Sequence, residues 1–194
     1  MRPESTRIER IQIMSHDNPK PSKTELNNSN SLSATVASLY SRHKPLKVCM
    51  VGSSGGHLAH LHMLRPFLKD KDRFWVTFDK EDARSLLQGE RVYTCYYPTN
   101  RNLKNLARNT LLTWKVLRKE KPDLIISSGA AVAVPFFYLG KLFGAKTIYI
   151  EVFDRIDKPT VTGKLVYPIT DIFVVQWDEM KKVYPKAVNF GSIF

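Results

Sequence analysis

The chain has 194 residues, 43% of them hydrophobic and 25% charged, with a net charge of +12 and two cysteines. That size fits one domain, and the balance of apolar and charged residues excludes a wholly disordered chain. Two cysteines give neither a disulfide framework nor a metal-ligand spacing, and no apolar run reaches the roughly eighteen residues of a membrane span.

Residues 1–44 are rich in Ser, Asn, Pro and charge, with Tyr40 their single aromatic. Such a composition cannot bury enough apolar surface to offset chain entropy, so 1–44 is expected to be a disordered tail and 45–194 the folded domain. The tail has seven basic residues against four acidic ones, so most of the positive charge lies in the folded part. A basic domain calls for an anionic partner: nucleic acid, an acidic membrane surface or a phosphate-bearing substrate.

From residue 46 the pattern alternates. "LKVCMVG" is a β-branched apolar run, and a helix follows to about Leu68. "RFWVTFD" (73–79) predicts a second strand, "EDARSLL" a short helix and "VYTCYYP" (92–98) a third strand. The stretch 102–121 has helical periodicity, with Leu103, Leu106, Thr110, Trp114 and Leu117 as its apolar stripe. "DLIISSG" (123–129), "KTIYIEV" (146–152) and "DIFVVQW" (171–177) complete six strands, with a short helix to about Tyr184. The segment "AAVAVPFFYLGKLFG" (130–144), interrupted by Pro135 and Lys141, reads as buried or interfacial. Cys49 and Cys95 fall inside strands and read as small buried hydrophobes.

Near-continuous apolar strands separated by helices imply an α/β fold, a single doubly wound parallel sheet of the Rossmann-like kind. Ligands of such sheets bind at the carboxyl ends of the strands. The unusual sequence, Gly52–His57, Ser127–Ala131 and Glu151–Arg155, sits there. In "GSSGGH" the glycines let a backbone approach an anion, the next helix points its free N–H groups at it, and Ser53 and Ser54 add hydroxyls. A phosphate or diphosphate is the expected guest; a tight turn needing glycine for packing alone is the bland alternative. The dinucleotide fingerprint is not met, because the spacing is G-x-x-G-G, although Asp79 does end the second strand; a P-loop is absent. His57 stands beside the expected anion as donor or base. His60 and His62 extend it to H-x-x-H-x-H, but only His57 and His60 share a helical face and no carboxylate is near, so no metal site is expected.

"VGSSGGHLAHL", "KPDLIISSGAAVAVPFFYLGKLFGAKTIYIE" and "TGKLVYPITDIFVVQW" together resemble the PssD-type exopolysaccharide glycosyltransferase subunits. These are bacterial relatives of the membrane-anchoring subunit of the two-part UDP-GlcNAc transferase of lipid-linked oligosaccharide synthesis. More distantly, Gly-Gly-His after the first strand is similar to the acceptor half of MurG. The resemblance covers 46–194 and implies the N-terminal, acceptor half of a GT-B glycosyltransferase, with length for one such domain only. It implies a donor-binding catalytic partner subunit that holds the UDP-sugar, a polyprenyl-diphosphate-linked acceptor, no cofactor on this chain, and no activity without the partner. On the same footing, Gly52, Ser53, Ser54, Gly55, Gly56 and His57 face the acceptor diphosphate with Ser128, Gly129 and Arg155. Glu151 matches an acidic residue that bonds the acceptor sugar or acts as base; the alternative is an exposed strand-end charge paired with Arg155. His57 and Glu151 are the catalytic candidates, and Gln176 and Trp177 shape the core or the interface. The chain departs from its relatives at Glu151-Val152, where many have Glu-Ser, and at Asp157-Lys158-Pro159, where they have a Ser-rich turn. Eukaryotic relatives begin with a membrane helix, and none is seen here, so peripheral attachment at the cytoplasmic face is expected. The basic helix 102–121 and "PFFYLGKLF" (135–143) are the candidate contacts; for the helix the other reading is an ordinary sheet-covering element, its stripe packed on the sheet and its basic face solvated. A stand-alone nucleotide-binding oxidoreductase is the alternative. Nucleic acid is not expected as a partner, because no base-stacking pattern or reading motif is present.

Overall fold

A computed structural model describes residues 33–35, 37, 45–99 and 101–191. Most of the expected disordered tail lies outside the described residues; Ser33, Ala34, Thr35 and Ala37 within it are helical, and Thr35 is buried. The strands are β1 Lys47–Val51, β2 Asp72–Phe78, β3 Val92–Cys95, β4 Leu124–Ser127, β5 Lys146–Ile150, β6 Ile172–Val175 and β7 Val188–Asn189. Between them run α1 Gly56–Met63, α2 Glu81–Leu86, α3 Leu103–Glu120, α4 Ala133–Leu142 and α5 Val161–Val166.

All seven strands pair in parallel in the order β3-β2-β1-β4-β5-β6-β7. The chain starts in the middle, winds outward one way through β2 and β3, then returns and winds the other way from β4. That reversal requires both faces of β1 to be covered, and Val48, Cys49, Met50 and Val51 are fully buried. Alternation along β1 sends Val48 and Met50 into one core with Leu58, Leu61, Ala83 and Leu87 of the α1–α2 side. Cys49 and Val51 enter the other with Val116, Leu117, Phe136, Phe137 and Val166 of α3, α4 and α5. Both cysteines are buried free thiols, and loss of hydration pushes Cys95 up to about 12.

α3 is rotated from the expected orientation. Of the five stripe residues only Leu117 is buried, whereas Leu103 is 79% and Trp114 44% exposed. The buried face carries Asn105, Asn109, Thr113, Val116, Leu117 and Glu120. Hydrogen bonds explain the reversal. Asn109 accepts from Tyr96 N at 2.8 Å and donates to Tyr96 O at 2.9 Å, and Asn105 donates to Pro98 O at 2.9 Å. The chain leaving edge strand β3 would otherwise have unpaired backbone groups there, so the helix presents amides rather than leucines. Asn102 caps the helix by accepting from Asn105 N at 2.9 Å.

Candidate functional site

β1 and β4 are neighbours whose connections depart in opposite directions, so the turns that follow them lie side by side at the carboxyl edge, where ligands of such sheets bind. The two turns are stitched together across 71 residues of sequence. The His57 ring Nδ1 lies 2.9 Å from Ser128 O, and Ser128 Oγ donates to His57 O at 2.8 Å. A carbonyl only accepts, so Nδ1 carries the proton and Nε2 keeps its lone pair. Burial lowers the His57 pKa, the Ser128 bond and Asp154 act against that, and Arg155 adds to it. The result is a neutral imidazole with a basic nitrogen at the switch point.

Gly129 makes room for that ring. It has φ +130°, its N–H is held by Ser127 Oγ at 3.0 Å, and a Cβ there would lie 2.6 Å from His57 Cε1 and 3.2 Å from the Tyr149 hydroxyl. In the first turn, Gly55 takes φ +75° at the N-cap of α1 with no side chain capping the helix. A Cβ on Gly55 or Gly56 would meet nothing within 4 Å, so the outer side of the turn is open; one on Gly52 would press Leu61 Cδ1 at 3.1 Å. Ser53 Oγ donates to Ser54 O at 3.2 Å. Gly55 N–H donates to the Asp82 carboxylate at 2.6 Å, a contact between elements 27 residues apart that no motif announces.

Glu151 is not the exposed strand-end charge of the alternative reading. It is 1% exposed, and Arg155 pairs with Asp154 at 3.7 Å. Its Oε2 accepts from Thr160 Oγ1 at 3.2 Å, Thr160 N at 3.4 Å and the Tyr184 hydroxyl at 3.3 Å, while its buried Oε1 has no hydrogen-bond partner. Burial raises its pKa, opposed by those donors. Thr160 Oγ1 also accepts from Gly163 N at 2.9 Å, capping α5, and lies 3.1 Å from the Tyr149 hydroxyl. A hydroxyl chain therefore runs from Glu151 through Thr160 to Tyr149, whose hydroxyl, like the His57 ring, abuts Gly129. Gln176 Nε2 donates to Glu151 O at 3.0 Å and Trp177 Nε1 to Phe153 O at 2.7 Å, fixing the 151–155 loop.

The structure thus brings Gly52–His57, Ser128 and Gly129 together at the carboxyl ends of β1 and β4, with Arg155 close enough to act on His57; Ser128 and Gly129 are buried there, the Ser128 hydroxyl spent on His57 O, so they brace the turn from beneath, and Glu151 is likewise under cover. Thr160, Tyr149, Tyr184, Gly163 and Asp82 were not singled out from sequence. Tyr149 and Gly163 lay in stretches quoted for the resemblance, and for Gly163 the reason is now physical: a side chain there would overlap the Glu151 carboxylate and stand 2.7 Å from the Tyr184 hydroxyl. Among the described residues no three His, Cys, Asp or Glu side chains converge as a cation site. A cleft of about 520 Å³ lined by Lys141, Tyr167, Asp171 and Lys186 opens at the opposite, amino-terminal edge, away from this chemistry. Asp79, the residue a dinucleotide ribose would need, is paired with Arg84 at 2.7 Å.

The model of a family described as "Oligosaccharide biosynthesis protein Alg14 like" matches residues 98–193. The human "UDP-N-acetylglucosamine transferase subunit ALG14" is 26% identical over 179 residues, 76% of this chain and 83% of that protein. The Candida albicans protein of the same name is 37% identical over 81 residues, 39% of this chain and 37% of its own length. Among solved structures, Acinetobacter baumannii MurG superposes with a TM-score of 0.59 at 16% identity, over 70% of this chain and 43% of MurG. A UDP-N-acetylglucosamine 2-epimerase from Rickettsia bellii gives 0.61 at 17% identity, over 77% of this chain and 46% of the epimerase. The chain spans less than half the length of these two structures, and at such identities they show the fold: a Rossmann-like α/β half of the GT-B kind. Nothing in these relatives supports an oxidoreductase.

Proposed function

We propose, from the match of residues 98–193 to the Alg14-like family model, that this chain is the accessory, membrane-recruiting subunit of a two-component glycosyltransferase. The enzyme moves a sugar from a UDP-sugar to a polyprenyl-diphosphate-linked acceptor. The donor sits on a separate catalytic subunit, and UDP-N-acetylglucosamine is the first donor to test because the relatives' names carry it. The observation behind this reading is the pairing of the two turns: a neutral His57, fixed through Nδ1 by Ser128, beside an open glycine turn.

In that geometry the acceptor diphosphate lies on the 52–57 turn, with Arg155 as a planar cationic clamp. The acceptor hydroxyl faces His57. As its oxygen bonds to the anomeric carbon, UDP departs with the bonding electron pair and the hydroxyl proton passes to Nε2. Glu151 is too deeply covered to reach the acceptor and acts as a positioning residue, holding the N-terminus of α5 through Thr160. The PssD-type designation rests on the motif resemblance.

Among the described residues no helix is long and apolar enough to cross a membrane. Peripheral attachment at the cytoplasmic face fits the outer side of α3. Leu103, Leu111 (64% exposed) and Trp114 lie there among exposed Lys104, Arg108, Lys115, Arg118 and Lys119. Exposed Tyr138, Leu142 and Phe143 at α4 belong to the same side of the sheet. A basic helix with an outward apolar strip suits an anionic lipid surface.

The test is co-expression of the full chain with its donor-binding partner and assay of transfer from UDP-N-acetylglucosamine to a polyprenyl-diphosphate acceptor in membranes. Transfer is expected from the pair alone and is expected to be lost with His57→Ala. Transfer by this chain without a partner would overturn the division of labour, and a fully active His57→Ala pair would remove the base.

A further inference from the structure

The open glycine turn already has an anion on it. Gly55 N–H donates at 2.6 Å to Asp82 Oδ2, from the first turn of α2, 27 residues further on. α1 has no acidic residue in its own first turn, so the negative charge beside its positive end comes from another element. Among the described residues Asp82 has no cationic partner: its neighbours Asp79 and Arg84 pair with each other, and Lys80 stands over the Tyr97 ring at 5.5 Å. An amide donating to a carboxylate makes a strong, charge-assisted bond, in the place where a phosphate oxygen would take that donor. The bond is solvent-exposed and the space above Gly55 and Gly56 is open, so the carboxylate can leave without disturbing the core.

We propose that Asp82 is an internal competitor for the acceptor diphosphate: it holds the Gly55 amide in a closed state and must release it when the lipid diphosphate binds. This rests on the reading of the 52–57 turn as the diphosphate site. A ligand that needs a minor open state has its apparent affinity reduced by the open fraction, and the Asp82 charge also repels the arriving anion. Asp82 therefore raises the affinity threshold of the turn, so that binding energy from the rest of the lipid-linked acceptor is needed to open it.

The experiment uses the full ¹⁵N-labelled chain and two probes, inorganic pyrophosphate and a short-chain polyprenyl diphosphate, with dissociation constants and the Gly55 amide resonance as readouts. Asp82→Asn keeps an acceptor and removes the charge; Asp82→Ala removes both. Each is expected to bind both probes at least tenfold more tightly than the natural chain, with the Gly55 resonance moving on binding. Asp70→Asn, which changes net charge equally at an exposed position on the other edge, is expected to bind as the natural chain does. If Asp82→Asn binds no more tightly while the natural chain binds, Asp82 is only a strut and the competitor is refuted, with the diphosphate reading left standing. An equal gain from Asp70→Asn also refutes it. If no form binds either probe, the diphosphate reading falls and this inference with it.

Discussion

Gly129→Ala tests the packing of the His57 ring against the turn after β4. The new methyl group would stand 2.6 Å from His57 Cε1, 3.0 Å from Nδ1 and 3.2 Å from the Tyr149 hydroxyl. The backbone cannot back away freely, because Gly129 N–H is tied to Ser127 Oγ and the residue sits at φ +130°. Holding a non-glycine residue in such a conformation costs about 1–3 kcal/mol. Swinging the imidazole aside breaks the Nδ1 bond to Ser128 O, which contributes about 1 kcal/mol. The sum is a loss of about 2–4 kcal/mol, read as a lower urea midpoint and a fall of about 10 °C in the thermal midpoint for a domain of this size. A double-mutant cycle with His57→Ala separates the parts: with the ring removed, the methyl group keeps its backbone strain and its approach to the Tyr149 hydroxyl but loses the clash with the imidazole, so coupling of about 1 kcal/mol or more is expected. Gly129→Ala within about 0.5 kcal/mol of the natural chain, or a cycle without coupling, refutes the packing of ring against turn.

Three further outcomes follow from the same structure. Gly56→Ala adds a methyl group into open space at the start of a helix, so stability is expected to hold or rise by up to about 1 kcal/mol, while affinity for a diphosphate falls; unchanged affinity would show that no ligand approaches there. Burial raises the Glu151 pKa above 4.5, so the folded state keeps a proton that the unfolded chain has lost; stability from this group is lost as pH climbs from 4.5 through the raised value. His57, lowered from 6.5, has the opposite slope, losing stability as pH falls below 6.5. Glu151→Gln should cancel the first slope and leave the second, and parallel urea-midpoint profiles from pH 4.5 to 8 would contradict this. Leu111→Ser with Trp114→Ser, both on the outer side of α3, should leave stability within about 0.5 kcal/mol per substitution and weaken co-sedimentation with anionic vesicles; undiminished sedimentation would place the lipid contact elsewhere.

The sheet was legible because its strands are covered on both sides and so read as continuous apolar runs: six of the seven strands and the helix at 102–121 were expected where they occur. β7 has two residues and α5 six, too few for a period to show. α3 misled for a specific reason. Hydrophobic periodicity finds the apolar side of a helix, and here the side facing the core is the one whose amides serve the chain after β3. The glycine turn and Ser128-Gly129 were visible as small residues at strand ends. Glu151 was visible as a charge, but its burial depends on Thr160 and on Tyr184, 33 residues away, and such through-space contacts leave no local trace. Asp82 was hidden more simply, since an acidic residue at the start of a helix is ordinary.

The outward leucines and tryptophan of α3 also bear on how the protein behaves at high concentration. A net charge of +12 makes copies of the chain repel one another, and at about 0.01 M salt that repulsion reaches some 30 Å, far beyond the apolar strip. At about 1 M salt it shrinks to about 3 Å, and strip can then meet strip. Self-association should therefore grow with ionic strength, the reverse of a complex held together by opposite charges. Light scattering across a salt series would show it, and the double serine variant should stay monodisperse throughout.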